Sequence, residues 1–257
     1  MFHTNTIDTM SFPLINTDIP YLTTEQMVEV DRLMIEQYRI ELIQMMENAG
    51  RCLALVAKER FLEHNLAGKQ VVVLAGTGGN GGGAMVAARR LSSWGATVQV
   101  YITSIERVTE VPQHQYNILQ NMKVSVQNWP EEEDTLPEGI DLILDGIIGY
   151  SLSGNPRGSA RAMIEWANQS EAAVLSLDTP SGIDLTEGKG YRPTVRAEAT
   201  LTLALPKQGL KESSLRPYIG ELYLGDISVP PTLYAEPSLG LNVSPELFAQ
   251  QDIVRIY

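Results

Sequence analysis

The sequence is poor in the residues that build disulfides and zinc sites. It has one cysteine in 257 residues, which excludes an intrachain disulfide and fits a reducing compartment. That residue, Cys52, lies in an apolar pattern with helical spacing and is interpreted as a buried core thiol rather than a nucleophile. The three histidines, His3, His64 and His114, are scattered along the chain and lack the spacing of zinc ligands.

Basic residues are also scarce. The chain has 19 Lys and Arg residues against 31 Asp and Glu residues, a net charge of -12. An average field of this sign repels nucleic acid, and no dense basic run counters it, so nucleic-acid binding is disfavoured. No apolar stretch approaches the ~18 residues of a membrane helix. Residues 1–20 contain no Lys or Arg, whereas a targeting signal carries basic residues. We therefore expect a soluble cytoplasmic protein with no membrane partner.

Strand-like and helix-like stretches alternate from residue 70 onward. Strands are predicted at 71–75, 97–102, 124–126, 142–144, 174–177, 200–205 and 222–224, and helices at 84–94, 113–121 and 158–168. Continuously apolar strands are typical of a parallel sheet that is covered by helices on both faces. We predict an α/β fold with a mainly parallel sheet, in one domain over residues 21–257 that follows an N-terminal arm at residues 1–20, which is either extended or a poorly ordered tail.

Two helices are predicted before the first strand. Thr23 and Gln26 have capping-box spacing at the start of the first helix. Leu22 and Met27 have the spacing of a hydrophobic staple around that cap. In the second helix, apolar residues recur at intervals of three and four over residues 42–56. The methionine-rich stripe that results is interpreted as core.

The most informative segment is the glycine run at residues 76–83, which follows a predicted strand and precedes a predicted helix. Its six glycines in eight residues cost backbone entropy, which favours a tight turn or a close approach to the backbone. A glycine loop in this position presents free N–H groups and the positive end of a helix dipole, where a phosphate binds. A flexible surface turn is the alternative interpretation.

Two aspartates follow predicted strands and lead into glycine-containing loops. Asp145 comes after the strand at 142–144, and Asp178 comes after the strand at 174–177. In a doubly wound sheet, ligands bind outside the carboxyl ends of the strands. We therefore expect the glycine run and the two aspartates to meet at one cleft. The alternative is that each aspartate merely caps a helix or a turn.

The glycine run fits two common nucleotide motifs poorly. Gly76, Gly78 and Gly81 match the dinucleotide fingerprint, but the next strand does not end in an acidic residue for the ribose, and Glu106 is not convincingly placed. A P-loop is excluded because no Lys-Ser/Thr pair follows the glycines. An ordinary NAD dehydrogenase and an NTPase are therefore both disfavoured.

Taken in order, these motifs resemble the NAD(P)H-hydrate epimerases, also called the YjeF N-terminal domain family. The resemblance runs from about Thr23 to about Pro230. The segments that carry it are TEQM at 24–27, MENAG at 46–50, the glycine run at 76–83, Asp145 with GYSLSG at 149–154, DTPSGID at 178–184, LPKQGL at 205–210 and GELYLGDI at 220–227.

The resemblance implies a three-layer αβα sandwich with a Rossmann-like sheet. It implies an isomerase that interconverts the R and S forms of hydrated NADH or NADPH, a step of metabolite repair that feeds a dehydratase. For this chain the dehydratase would be a separate protein, and relatives are often homodimers. The resemblance also implies a K+ ion bound by Asn80, Asp145 and Ser181, whose oxygen atoms suit a hard cation.

The family's substrate contacts map onto the glycine run, the segment after Asp145 and one aspartate. The positions are Gly79, Asn80, Gly81, Gly82, Gly83, Gly149, Tyr150, Ser151, Leu152, Ser153, Gly154, Asn155 and Asp178.

The chemistry indicates which residue type is needed. Hydrated NADH carries a hydroxyl on the ring carbon next to the ring nitrogen, and inverting that carbon needs loss and re-addition of water, or ring opening and closure. Either route moves a proton, which a carboxylate within reach can accept or donate. Asp178 is the candidate. Lys207 and Lys189 are secondary candidates, against the expectation that a lysine in such a loop is a solvated charge.

The chain departs from the family pattern at several site positions. Gly79 stands where an Asn is expected, Gly83 where an Asp is expected, and Tyr150 and Ser151 replace the usual Thr-Gly. The missing carboxylate at position 83 removes a contact to the ribose or the nicotinamide, and Tyr150 narrows the cleft. A non-catalytic nucleotide-binding or scaffold relative of the same fold is therefore the alternative function.

Overall fold

The computed structural model describes residues 12–15, 17–130 and 136–257. The helices are α1 (Thr24–Arg32), α2 (Leu42–Val56), α3 (Gly79–Ser93), α4 (Glu110–Asn121), α5 (Gly158–Gln169), α6 (Arg216–Ile219) and α7 (Pro231–Tyr234). The strands are β1 (Gln70–Ala75), β2 (Thr97–Ile102), β3 (Ser125–Asn128), β4 (Leu142–Gly146), β5 (Ala173–Leu177), β6 (Ile183–Asp184), β7 (Lys189–Gly190), β8 (Ala199–Leu203), β9 (Glu221–Gly225) and β10 (Ile253–Arg255). None of the helices in these described ranges is long and apolar enough to cross a membrane.

The central sheet has eight strands in the order β10-β9-β8-β5-β4-β1-β2-β3, and β6 pairs with β7 in a separate hairpin. Every neighbouring pair in the sheet is parallel except β9 and β10. From β1 the chain moves outward to β2 and β3, and it then returns to the other side of β1 as β4. The position between β1 and β4 is therefore a topological switch point, where doubly wound folds bind ligands.

Helices cover both faces of this sheet. On one face, α2, α3 and α4 share a core cluster that includes Leu53, Ala87 and Leu119. On the other face, α5 packs through Met163 and Ile164. Because β1 and β4 contribute residues to both clusters, the sheet is buried on both sides. The predicted α/β fold, with a mainly parallel sheet between two helical layers, is confirmed.

Both predicted helices before β1 are present, and each continues into a short π-helical turn. At the start of α1, the Thr23 hydroxyl accepts from the Gln26 backbone N–H at 3.1 Å, and the Gln26 side chain accepts from the Thr23 N–H at 2.9 Å. The predicted capping box is therefore confirmed. Leu22 and Met27 are buried in one apolar cluster. Cys52 is fully buried on α2, which confirms its interpretation as a core thiol.

The glycine run differs from its prediction as a loop. Because α3 begins at Gly79, only residues 76–78 form a loop, and the expectation of a helix start at residue 84 is wrong. The low helix propensity of glycine hides this first turn in the sequence. Close packing explains it: a Cβ on Gly81 would lie 2.0 Å from the Gly76 carbonyl oxygen, and a Cβ on Gly50 of α2 would lie 2.4 Å from the Gly83 carbonyl oxygen.

The C-terminal strand β10 is absent from the sequence-based prediction, since three residues are too few to show a period. It pairs antiparallel with β9. Residues 12–15 lie along its other edge, where the Ile15 N–H donates to the Arg255 carbonyl at 2.8 Å and the Arg255 N–H donates to the Pro13 carbonyl at 2.8 Å. Of the predicted N-terminal arm at residues 1–20, residues 1–11 and 16 lie outside the part of the chain that the structure describes.

Candidate active site

A cavity of about 450 Å³ lies at the switch point between β1 and β4. It is lined by residues that follow β1, β4 and β5 and by side chains from α1 and α2. The predicted substrate-binding residues in this lining are Gly79, Asn80, Gly81, Gly149, Tyr150, Ser151 and Asp178. Three segments that are distant in sequence therefore meet at one cleft, as predicted, but the expectation that Asp145 itself faces this cleft is wrong, because Asp145 is fully buried outside the described lining.

The other predicted substrate contacts lie away from the described cavity lining. They are Gly82, Gly83, Leu152, Ser153, Gly154 and Asn155. Gly82 and Gly83 are buried, because side chains from α2 and β5 pack directly against them. Asn155 accepts a hydrogen bond from the Arg192 backbone N–H at 3.1 Å and so fixes the segment before β8.

Asp178 and Lys207 form a buried ion pair at the cavity. The Lys207 ammonium donates to Asp178 Oδ1, to the Leu203 carbonyl oxygen at 3.0 Å and to the Thr202 hydroxyl at 3.3 Å. An ammonium has three donors, and each of them has an acceptor here. Lys207 is therefore a fixed part of the site, which holds the Asp178 carboxylate in one orientation.

The expectation of a solvated lysine holds for Lys189 and is wrong for Lys207. Lys189 is exposed on the β6–β7 hairpin, where it pairs with a neighbouring glutamate. Lys207 is buried because Leu22, just before α1, bonds to the chain on both sides of it. The Leu22 N–H donates to the Pro206 carbonyl at 2.8 Å, and the Gln208 N–H donates to the Leu22 carbonyl at 2.8 Å.

The backbone at Asp178 is strained. Its φ of 65° lies in the left-handed region, which Asp and Asn visit more readily than most residues with a side chain. Its N–H donates to the Leu201 carbonyl at 2.6 Å, which fixes the turn against β8. Non-glycine residues in this region cost on the order of 1–3 kcal/mol and cluster at functional sites. In the described part of the chain, the Asp178 carboxylate caps no backbone N–H, so the simple capping interpretation does not explain it.

Asp145 has a structural role by contrast. It lies within β4 rather than after it, and it is fully buried. Its Oδ1 accepts from Ser181 Oγ at 2.6 Å and from the Ile147 N–H at 3.2 Å, and its Oδ2 accepts from Ser176 Oγ and the Ser181 N–H, both at 2.8 Å. Burial raises the pKa of this carboxyl, and the four hydrogen bonds oppose that effect. Asp145 thereby ties the end of β4 to the loop after β5.

The other residues expected to bind K+ lie near this network. The Ser181 hydroxyl donates to Asp145 and accepts from the Ile148 N–H at 2.8 Å. Asn80 lies in the first turn of α3 next to Gly149, and its buried Nδ2 has no hydrogen-bond partner among the residues that the structure describes. Within residues 12–15, 17–130 and 136–257, no three His, Cys, Asp or Glu side chains form a group that could hold a metal.

One charged cavity residue was missed by the sequence analysis. Asp31 of α1 lines the cavity, and its Oδ2 accepts a hydrogen bond from the Tyr150 hydroxyl at 2.6 Å. Burial raises the pKa of the Asp31 carboxyl. Its spacing of four residues from Met27 was the available signal, since this spacing places both on one face of α1. Met27, Met45 and Met46 are buried, as expected of core residues, and they also line the cavity.

Comparison with known proteins assigns the family. The model of the family described as YjeF-related protein N-terminus matches residues 42–209. This chain belongs to the YjeF-related family.

Relatives within the YjeF-related family match most of this chain. The NAD(P)H-hydrate epimerase of Dehalogenimonas lykanthroporepellens is 40% identical over 226 residues, which cover 87% of this chain and 88% of that protein. The NAD(P)H-hydrate epimerase of Rhodopirellula baltica is 32% identical over 234 residues, which cover 89% of this chain and 92% of that protein. The bifunctional NAD(P)H-hydrate repair enzyme Nnr of Moorella thermoacetica is 31% identical over 221 residues, which cover 83% of this chain and 41% of that protein.

A solved structure supports the same assignment of fold. The crystal structure of the yeast protein YNL200c matches with a TM-score of 0.78 at 25% identity, covering 92% of this chain and 100% of the yeast chain. The Rossmann-like three-layer sandwich expected of the YjeF-related family is confirmed.

Two positions that depart from the expected YjeF-related pattern, Gly83 and Tyr150, have well-defined neighbours in the structure. Gly83 replaces the family aspartate, and a Cβ there would lie 2.8 Å from Leu177 Cδ2. Leu177 itself lines the cavity, whereas Gly83 lies outside its described lining. Tyr150 reaches from the segment after β4 to Asp31 on α1.

Proposed function

We propose that this chain interconverts the R and S forms of hydrated NADH and NADPH. The observation that carries the proposal is the buried Asp178–Lys207 ion pair at a switch-point cavity. The chain that holds it is 40% identical, over most of its length, to a protein named NAD(P)H-hydrate epimerase. A cavity of about 450 Å³ also has the size of a small-molecule site.

Asp178 is the residue that moves the proton in this proposal. Inversion of the hydroxyl-bearing ring carbon requires a group that takes a proton from, or gives it to, the reacting oxygen. Asp178 lines the cavity, and Lys207 orients its carboxylate through an ammonium whose other donors are engaged by Leu203 and Thr202. Met27, Met45 and Met46 make part of the cavity wall apolar, and a charge beside such a wall is less screened than in bulk water.

The first turn of α3 is suited to the diphosphate of the substrate. The N-cap residue of α3 is Gly78, which has no side chain that could accept from the first N–H groups of the helix. The first backbone N–H groups of a helix have no intrahelical acceptor, and Gly79, Asn80 and Gly81 at this end line the cavity. These N–H groups and the helix dipole favour a bound anion.

A K+ ion held by Asn80, Asp145 and Ser181 belongs to the same proposal. Two features support it. Asp145 is fully buried, and among the described residues only neutral groups donate to it, so a cation would offset its charge. The buried Nδ2 of Asn80 has no partner in the described part of the chain, and half a turn about the last bond of the side chain presents an oxygen there instead. When bound, the ion would fix the geometry of the loops around the cavity.

The ion can be tested by thermal unfolding. Replacing choline chloride with KCl at constant ionic strength should raise the Tm of the wild type. Asn80→Ala should abolish this increase, because it removes one of the ligands. Equal Tm values for the wild type in the two salts would contradict a K+ site.

The activity is tested on an NADH-hydrate mixture enriched in one epimer. Proton NMR follows the approach to epimeric equilibrium with and without the protein. We expect the epimer mixture to reach equilibrium much sooner with the protein than without it. A rate equal to that of the protein-free control would contradict the proposal.

A non-catalytic nucleotide-binding relative is the second candidate, because Gly83 lacks the family carboxylate. ADP-ribose distinguishes the two functions. Under both, ADP-ribose stabilises the fold by mass action. Stabilisation without acceleration of epimerisation would support the scaffold, whereas acceleration supports the enzyme.

Three further proposals concern the surroundings of the enzyme. A dehydratase would use one epimer, and the match of this chain to 41% of a bifunctional NAD(P)H-hydrate repair enzyme supports this link. A homodimer follows from the family resemblance and predicts the mass of two chains in light scattering. A cytoplasmic location is supported by a single cysteine that is buried and unpaired within the described chain.

A further inference from the structure

Asp31 brings a second carboxylate into the cavity. It enters from α1, whereas Asp178 follows β5, and both line the same space. The Tyr150 hydroxyl donates to Asp31 Oδ2 at 2.6 Å and fixes that carboxylate from the segment after β4. Asp31 precedes residues 42–209, which the family model matches, so that match assigns it no role.

The position of α1 relative to Asp178 is fixed by backbone hydrogen bonds. Leu22, one residue before the α1 cap, is bonded to the segment that carries Lys207 through Pro206 and Gln208, both at 2.8 Å. The helix that carries Asp31 is therefore fastened next to the lysine that holds Asp178. The two carboxylates belong to one rigidly connected site.

The surroundings of the two carboxylates differ. Asp178 has a cation, Lys207, in direct contact. Asp31 has the neutral Tyr150 hydroxyl in contact, and the charges of Lys207 and Asp178 act on it from a greater distance. Tyr234 of α7 also lies within range of its charge. Burial is the largest influence on Asp31 and raises its pKa, while the Tyr150 hydrogen bond and the Lys207 charge lower it.

We propose that Asp31 is the general acid and Asp178 the general base of the epimerisation. The inference rests on the proposed function and adds a residue to it. Two carboxylates in unlike environments are the usual arrangement for dividing acid and base roles, since the one that retains its proton can donate it. Of the two, the carboxyl that is in contact with a neutral hydroxyl rather than with a cation is the better proton donor, and here it is Asp31.

The proposed steps balance in atoms and electrons. Protonated Asp31 gives its proton to the ring hydroxyl while the carbon–oxygen bond breaks, and the oxygen leaves as water with the bonding electron pair. The ring nitrogen lone pair forms a double bond to that carbon. Water then adds to the opposite face of the carbon, its electron pair making the new bond while the second pair of the carbon–nitrogen double bond returns to the nitrogen, and the Asp178 carboxylate takes the released proton. Exchange of protons with solvent restores both carboxyls.

Tyr150 is a positioning residue in this scheme, because it acts through Asp31. Its hydrogen bond stabilises the Asp31 carboxylate and so lowers the pKa of Asp31. The acid must be protonated, so the rate should fall as pH rises through that pKa. Tyr150→Phe removes the hydrogen bond, raises the pKa of Asp31 and should move the alkaline decline of the rate to higher pH.

The experiment measures epimerisation of NADH hydrate by wild type, Asp31→Asn, Tyr150→Phe and Glu25→Gln over a range of pH. Glu25 is the matched control, because it is an exposed carboxylate on the same helix outside the described cavity lining. Asp31→Asn should lose about 100-fold or more of the rate and the alkaline decline with it. Glu25→Gln should retain both, and ADP-ribose should stabilise all four proteins equally.

Each result has one interpretation. Asp31→Asn with the wild-type rate, or Tyr150→Phe with an unmoved alkaline decline, overturns the role of Asp31 while leaving the proposed function intact. Loss of ADP-ribose stabilisation in Asp31→Asn also overturns it, since the residue would then serve binding. A wild-type rate equal to the spontaneous one overturns the proposed function, and the inference with it. If Asp31→Asn does not fold, the Tyr150→Phe pH profile decides.

Discussion

The side chains of Lys207 and Asp178 meet in an ion pair that is almost cut off from solvent, with 1% and 6% of their surfaces exposed. Removing both charges from water is costly, and the attraction between them repays this cost only when the remaining hydrogen bonds are satisfied. The Leu203 carbonyl and the Thr202 hydroxyl satisfy those of Lys207. A pair of this kind persists where its geometry serves a purpose, and here it lies at the cavity.

Lys207→Met should destabilise the fold by about 3–5 kcal/mol, because it leaves the Asp178 carboxylate buried without its cation. Urea unfolding followed by circular dichroism measures the loss. The double variant Lys207→Met/Asp178→Asn removes both charges and should recover part of the stability. Asparagine suits the left-handed backbone at position 178. Additive losses in the double variant would mean that the two side chains do not interact.

Two glycines of the α3 first turn provide a matched pair for testing the packing. An added Cβ on Gly81 would lie 2.0 Å from the Gly76 carbonyl oxygen, whereas one on Gly79 would meet no described atom within 4 Å. Gly81→Ala should therefore cost about 1–3 kcal/mol through overpacking. Gly79→Ala should be neutral or stabilising by about 0.5–1 kcal/mol through the lower backbone entropy of alanine. Equal unfolding midpoints for the two variants would contradict the described start of α3.

Cys52 should be inert to thiol reagents in the native protein. Burial raises the pKa of its thiol to about 12, so at pH 8 only about one molecule in 10⁴ carries the reactive thiolate. A colorimetric disulfide reagent should react with the protein in guanidinium and not in buffer. Rapid reaction of the native protein would show that the α2 face is open to solvent.

The sheet was readable from the sequence because its strands are buried on both faces. Continuous apolar runs such as residues 71–75 have no polar alternation, which identifies a parallel sheet. The positions of Asp145 and Asp178 relative to those runs then placed both aspartates at the switch-point edge. The short antiparallel strand β10 and the first turn of α3 were not predicted. The strand is too short to show a period, and the helical turn consists mainly of glycine, which has a low helix propensity.

The side-chain partners in the site were not readable in the same way. Lys207 is in a loop, and its burial depends on backbone hydrogen bonds to Leu22, which is far away in sequence. Asp31 is a single acidic residue on an amphipathic helix, where a solvated position is the ordinary expectation. Its contact with Tyr150 joins segments that are 119 residues apart. Such pairs follow from the packing of α1 against the sheet, which no local pattern encodes.

The most direct test of the account compares wild type and Asp178→Asn at saturating NADH hydrate, with epimer interconversion followed by proton NMR. Asparagine keeps the size and the hydrogen-bonding oxygen of the side chain but cannot accept the proton. We predict that the variant folds, is still stabilised by ADP-ribose and loses about 10²–10⁴-fold in rate. A folded Asp178→Asn protein that interconverts the epimers as fast as the wild type would contradict the account.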